Sequence, residues 1–142
     1  MAVPILLVED SPSDAAILQA AFEDSGYEGN IQIATNGVEA IQVLEKTGLD
    51  NDIEKPQLIL LDLNLPKKSG LEVLEEIKQN PLWKQIPIVV LSSSSSKSDI
   101  DRSYQLHANA YLSKPREFSG YQAIAQQLYG FWLETVELPT QK

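Results

Sequence analysis

Leu58-Ile59-Leu60-Leu61 runs straight into Asp62, and Ile5-Leu6-Leu7-Val8 runs straight into Glu9-Asp10. Both runs are short, aliphatic throughout and bounded by polar turns. That pattern marks strands buried on both faces of a parallel sheet, since a half-exposed strand would alternate apolar and polar residues. Parallel strands present their carboxyl ends at one edge, where open α/β sheets bind ligands. Glu9, Asp10 and Asp62 therefore converge, and like charges that close repel unless a cation sits among them.

Strand and helix patterns alternate along the rest of the chain. Ser11-Pro12-Ser13-Asp14 opens a helix whose apolar positions are Ile17, Leu18, Ala21 and Phe22, with Gly26 as its stop. Ile31 to Ala34 is a second strand, and Asn36 caps a helix carrying Val38, Ile41, Val43 and Leu44 that ends at Gly48. Leu49 to Pro56 reads as an acidic loop. After the strand that ends at Asp62, Ser69 caps a helix with Leu71, Leu74 and Ile77, which ends before Pro81. Pro87 to Leu91 is the fourth strand, Ser98 the expected cap of a short fourth helix, Ala110 to Leu112 the fifth strand, and a last helix spans about Phe118 to Val136. Five β–α units with short connections predict an α/β fold: a doubly wound, five-stranded parallel sheet with helices on both faces. The expected organisation is one domain over residues 1–142, with a tail from about residue 137.

Composition narrows the function. At 142 residues the chain can bury roughly two-thirds of its unfolded surface as one domain. A formal net charge of −9 disfavours nucleic acid and anionic membranes as partners. There is no cysteine, which removes disulfides and thiolate metal sites and points to a cytoplasmic, reducing setting. No run approaches the ~20 apolar residues a membrane span needs.

The strand ends collect Glu9, Asp10, Asp62, Ser92 and Lys114. Three carboxylates are balanced by one divalent cation and one ammonium. Oxygen donors without histidine or thiolate suit a hard cation such as Mg²⁺, which keeps waters and bridges to phosphate. A carboxylate beside such an ion can attack phosphorus, because the metal shields the phosphoryl oxygens. Asp62 stands alone at its strand end and is the expected phosphoacceptor. Glu9 and Asp10 are the expected metal ligands or orienters, and the Asn64 carbonyl can complete the set.

The order Glu9-Asp10, Asp62, Ser92, Lys114-Pro115 resembles the receiver domain of two-component response regulators, from Ile5 to about Leu133. The resemblance implies a flavodoxin-like sheet of order 2-1-3-4-5 and phosphotransfer to Asp62 from a histidine kinase. It also implies a hydroxyl role for Ser92, a lysine role for Lys114, Tyr111 as the switch aromatic, and a cis peptide before Pro115. Two stretches, Leu60 to Gly70 and Phe131 to Pro139, resemble the small single-domain regulators that partner cyanobacterial phytochrome kinases. Lys67-Lys68 departs from the general pattern, in which an apolar residue is common before the loop glycine.

The outcome is then a phosphoprotein acting through protein contacts, or a phosphoryl relay or sink, rather than an enzyme with turnover. A flavin electron-transfer protein of the same topology is the alternative, but Glu9-Asp10-Ser11-Pro12 would repel the flavin phosphate. An aspartyl phosphatase would carry a second acid where Asn64 stands. In the last helix, projected at about 100° per residue, Tyr121, Ile124, Leu128, Phe131 and Trp132 share one stripe. Tyr129, Leu133 and Val136 widen the apolar arc beyond what one core needs, so Tyr129, Trp132, Leu133 and Val136 are expected at a homodimer interface. Tyr104 and Trp83 are expected only to pack.

Overall fold

The computed structural model describes residues 4–47 and 54–139. Its elements are β1 (Ile5–Val8), α1 (Pro12–Asp24), β2 (Ile31–Ala34), α2 (Gly37–Glu45), β3 (Leu58–Leu61), α3 (Gly70–Gln79), β4 (Ile88–Ser92), α4 (Lys97–Gln105), β5 (Ala110–Ser113) and α5 (Phe118–Leu128), followed by a π-helical turn over Tyr129–Thr135. The five strands form one parallel sheet in the order β2-β1-β3-β4-β5, as expected. Ala34, Val8, Leu61, Val90 and Tyr111 lie side by side across it. Glu9 and Asp62 follow that row directly, so the register alone brings them to one edge.

Each central strand buries both of its faces. Leu6, Val8, Ile59, Leu61, Ile88 and Val90 pack against Ala40, Ile41 and Leu44 of α2 and Val73, Leu74 and Ile77 of α3. Ile5, Leu7, Leu58, Leu60, Val89 and Leu91 pack against Leu18 and Phe22 of α1 and Tyr121, Ala125 and Leu128 of α5. Trp83 is buried in the first of these cores, as expected. This two-sided burial is why the strands read as unbroken apolar runs.

Helix starts follow local capping chemistry. The Ser11 hydroxyl accepts from the Asp14 amide at 3.2 Å, with Pro12 in the first helical position. Asn36 Oδ1 accepts from the Glu39 amide at 2.8 Å, and Ser69 and Glu72 close a reciprocal capping box. At α4 the cap is Ser96 rather than Ser98: its hydroxyl accepts from the Asp99 amide at 3.1 Å. Each serine has an acid three residues on, Asp99 for Ser96 and Asp101 for Ser98, and the chain enters the helix at the earlier one, which places Asp99 in the first turn. α2 ends at Glu45 with Lys46 as its C-cap, and Gly48, the expected stop, lies outside the described residues together with most of the acidic loop.

Two further expectations need correction. No cis peptide occurs among the described residues, so the Lys114–Pro115 turn is trans. The Pro115 ring is accommodated by Gly120, where a Cβ would come within 2.5 Å of it. The last helix also changes pitch after Leu128. In the π-helical turn the Val136 amide donates to Phe131 O at 2.8 Å, five residues back. A projection at constant α-helical pitch therefore fails there. Phe131 lies 54% exposed instead of on the inner stripe, while Tyr129, Trp132 and Leu133 are half-buried against the α1/α5 core.

The loop from Asp62 to Ser69 is clamped by two glycines. A Cβ on Gly70 would lie 2.3 Å from the Asp62 carbonyl oxygen, and one on Gly37 would lie 2.1 Å from that of Lys68. Both clashes are with backbone, which cannot swing away. Gly70→Ala is therefore expected to cost about 1–3 kcal/mol through overpacking. A urea unfolding midpoint equal to that of the parent protein would show that the loop yields freely.

Candidate phosphoacceptor site

The Lys114 ammonium is the hub of the sheet edge. It lies 2.7 Å from Glu9 Oε1, 2.9 Å from Asp62 Oδ2 and 2.9 Å from Asp14 Oδ2. Its position is set by the main chain: the Lys114 amide donates to Ser92 O at 2.8 Å, which extends the β4–β5 ladder one step past the strand. The ammonium, Glu9 and Asp62 are nearly sealed from solvent, with side chains 9%, 2% and 6% exposed.

Each acid is held from a second side. The Ser11 amide donates to Glu9 Oε2 at 3.1 Å. The Asn64 amide donates to Asp62 Oδ1 at 3.1 Å, folding the loop back on its own carboxylate. Burial pushes the Glu9 carboxyl up to about 7, helped by the Asp62 charge and resisted by hydrogen bonds from Lys114 and the Ser11 amide. For Lys114, burial favours the neutral amine, but hydrogen bonds to Asp62, Glu9 and Asp14 override it and hold the ammonium well above its ordinary range.

Carboxylate oxygens of Glu9, Asp10 and Asp62 lie within 4.8 Å of one another. Asp10 is exposed while the other two are buried, so the cluster opens to solvent on one side. Three oxygen donors with no histidine or thiolate, open on one side, suit a hard divalent cation that keeps some of its waters. The donor set thus fits a metal of the expected kind. Asn64 is exposed and contributes its amide to Asp62.

Ser92 is fully buried, and its hydroxyl accepts from the Ser94 amide at 3.2 Å. From there a chain of hydrogen bonds leads outward. The Tyr111 hydroxyl donates to Ser94 O at 2.7 Å, and the Tyr111 amide donates to the Tyr104 hydroxyl oxygen at 3.1 Å. Tyr104 does more than pack: it is 48% exposed and covers a backbone N–H on the open edge of β5. Ser94 also donates from its hydroxyl to Asp99 Oδ2 in the first turn of α4 at 2.5 Å.

The expected residues Glu9, Asp10, Asp62 and Lys114 meet, and Ser92 and Tyr111 lie along one hydrogen-bonded path from the β4 end. Asp14 is the addition. Its position in sequence marks it only as a first-turn helix acid, and what brings it to Lys114 is the packing of α1 on the sheet.

The sequence matches the response regulator receiver domain over residues 5–125. The chain belongs to the response regulator receiver family. It is 47% identical over 135 residues to the response regulator Rcp1 of Synechocystis sp. (strain ATCC 27184 / PCC 6803 / Kazusa), covering 95% of this chain and 92% of that protein. The crystal structure of Mn(2+)-bound Rcp1 superposes with a TM-score of 0.87 at 46% identity, covering 97% of this chain and 99% of that one. The phosphorylated cyanobacterial phytochrome response regulator RcpA superposes with a TM-score of 0.91 at 42% identity, covering 99% of this chain and all of that one, 100%. The receiver family, its sheet order and its role in two-component signalling thus agree with the expectation from the strand-end residues.

The raised Glu9 carboxyl gives a pH test. With its pKa near 7 instead of the ordinary 4.5, Glu9 in the metal-free site holds a proton over much of that interval. A divalent cation must displace it, so binding weakens as pH falls below 7, by up to about tenfold per unit, and releases protons. Calorimetric Mg²⁺ titrations at pH 6.5 in buffers of different ionisation enthalpy are expected to show that release. Identical apparent enthalpies across buffers would count against it.

Proposed function

We propose that this receiver accepts a phosphoryl group on Asp62 from a histidine kinase, in a Mg²⁺-dependent reaction, and thereby switches its protein contacts. The observation that carries the proposal is the Lys114 ammonium seated between Asp62 and Glu9 at 2.9 and 2.7 Å. One Asp62 oxygen attacks phosphorus as the P–N bond of the donor phosphohistidine breaks, and the electron pair returns to the imidazole. Asp62 becomes a mixed anhydride. Asp10, Glu9, Asp62 and the Asn64 carbonyl would hold Mg²⁺, which on binding neutralises charge on the phosphoryl oxygens. Lys114 and the Ser92 hydroxyl would donate to two of those oxygens. The aspartyl group is modified and discharged, so the chain works as a signalling phosphoprotein and not as an enzyme with a turning-over substrate.

The switch rests on those two donors. Charge-assisted hydrogen bonds contribute about 1.5–3 kcal/mol each, so two give about 3–6 kcal/mol. Moving a population from 1:99 to 99:1 takes about 5.5 kcal/mol. As Ser92 turns toward phosphate it gives up the Ser94 amide, and the loop bearing Tyr111's acceptor moves with it. Tyr111 and the Lys114–Pro115 turn would carry that motion to the α4–β5 surface.

The likeness to RcpA supports a phytochrome as the kinase, and the lack of cysteine supports a cytoplasmic setting. Residues 1–142 would act as one receiver unit. Phe131, edge-on to Trp132 at 5.4 Å, leaves apolar surface beside Trp132, Leu133 and Val136 that a second copy would cover by twofold symmetry. Tyr129 would support that face from its packing on Tyr27.

Incubation with Mg²⁺ and acetyl phosphate is expected to add one phosphoryl group, located by mass spectrometry at Asp62 and lost in Asp62→Asn. In Ser92→Ala the label remains, but the NMR shifts around Tyr111 shrink. Label that survives Asp62→Asn would sink the assignment. Sedimentation of the parent protein is expected to show dimers that Phe131→Glu converts to monomers; a monomeric parent at high concentration removes the dimer.

A further inference from the structure

An ammonium has three N–H bonds to donate, and those of Lys114 are matched by three carboxylates. Glu9 and Asp62 belong to the strand-end cluster. The third, Asp14, comes from the first turn of α1, which contributes nothing else to the contact with Lys114. The helix cap does not need its side chain, because Ser11 caps the Asp14 backbone amide. The Asp14 carboxylate is directed at Lys114, and it differs from Glu9 in burial: its side chain is 30% exposed, against 2% for Glu9.

We propose that Asp14 is a positioning residue that competes with the incoming phosphoryl group for Lys114. The proposal rests on Asp62 being the phosphoacceptor. As the phosphoryl donor approaches, with Asp62 still charged and before its oxygen bonds to phosphorus and the leaving group departs with the electron pair, the phosphoryl oxygens need a donor from an ammonium that is already saturated. One carboxylate must let go. Glu9 is 2% exposed and held on its other oxygen by the Ser11 amide, so it cannot withdraw from the ammonium into water. Asp14 stands at the rim, where water replaces Lys114, so Asp14 is the one released. Until then it restrains the ammonium. It also leaves the site with one negative charge in excess: four carboxylates stand against one ammonium and one divalent cation. A doubly negative phosphoryl donor meets that excess as it approaches.

The test is Asp14→Asn, which keeps shape and removes charge. Labelling by acetyl phosphate with Mg²⁺, followed by intact mass, is expected to become about tenfold faster, equivalent to about 1.4 kcal/mol. The half-saturating concentration of beryllium fluoride, a phosphoryl mimic, falls by about tenfold. Nitrogen-15 spectra of the Lys114 ammonium show faster proton exchange, while amide protection through α1 is unchanged. Asp14→Glu restores the parent behaviour on every readout. Labelling at or below the parent rate overturns the proposal. So does a gain with unchanged Lys114 exchange, which would make Asp14 only a distant charge. A gain with lost α1 protection assigns Asp14 a structural role and also overturns it. If the parent protein takes no label at all, the phosphoacceptor reading fails and this inference goes with it; a labelled parent with an indifferent Asp14→Asn removes the inference alone.

Discussion

One ammonium shared among three carboxylates holds the working edge of this protein together. Glu9, Asp62 and Lys114 are nearly sealed from water, where an unpaired charge is expensive, so none of them tolerates loss of the others. Yet the cluster is far from a stabilising device in any simple sense, since apolar residues of similar volume would pack the same place at less cost. What the arrangement provides is a fixed donor beside a fixed carboxylate. The sheet supplies the fixity: the Lys114 amide bonds to Ser92 O, and Ser92 sits at the end of a strand buried along its whole length. The site is therefore as rigid as the hydrophobic core beneath it.

That rigidity gives way in one direction only. The β4–α4 segment carries serines whose hydroxyls and amides bond to one another and to Asp99, with little apolar burial to anchor them. Tyr111 hangs on this segment through Ser94 O and is itself gripped from outside by Tyr104. A displacement at Ser92 thus meets a short path of polar contacts instead of a packed core. Because the Tyr111 hydroxyl is already bonded to Ser94 O, the aromatic has little distance to travel when the loop is reset. Under the proposed phosphorylation of Asp62, a differential contact at the phosphoryl group would bias the surface of α4 and β5 by as much as that contact differs between the two states.

Much of this was legible in the amino-acid sequence, and the parts that were not share a cause. The strand-end acids were readable because a run buried on both faces has one possible period and one end, so Leu61 fixes where Asp62 points. Ser11, Asn36 and Ser69 were readable because capping is a local reaction between neighbours. Asp14 was not, since its carboxylate reaches Lys114 a hundred residues away, and which side of α1 faces the sheet edge is decided by packing on α5. The cap of α4 was ambiguous for a different reason: in a run of serines every candidate has the same chemistry, and Ser96 and Ser98 each have an acid three residues on, so only the path of the chain out of β4 selects one. The last helix misled because a constant turn angle was carried past Leu128. Gly130, a weak helix former beside bulky Phe131 and Trp132, was the available sign that the pitch changes there.

Charge makes the final constraint. The chain is acidic as a whole, with a formal net charge of −9, and the site itself is acidic. A phosphoryl group is itself negative, so its attraction to this acidic chain cannot be what would deliver it. At physiological ionic strength charges more than about 8 Å apart are largely screened. Repulsion from the distant surface is therefore weak, and the outcome is decided by the groups inside that radius. There the balance would depend on the cation proposed for the site, on the Lys114 ammonium, and on how many carboxylates the ammonium already serves. Under the proposed function, a phosphoryl donor must therefore come close enough for local contacts to outweigh the field.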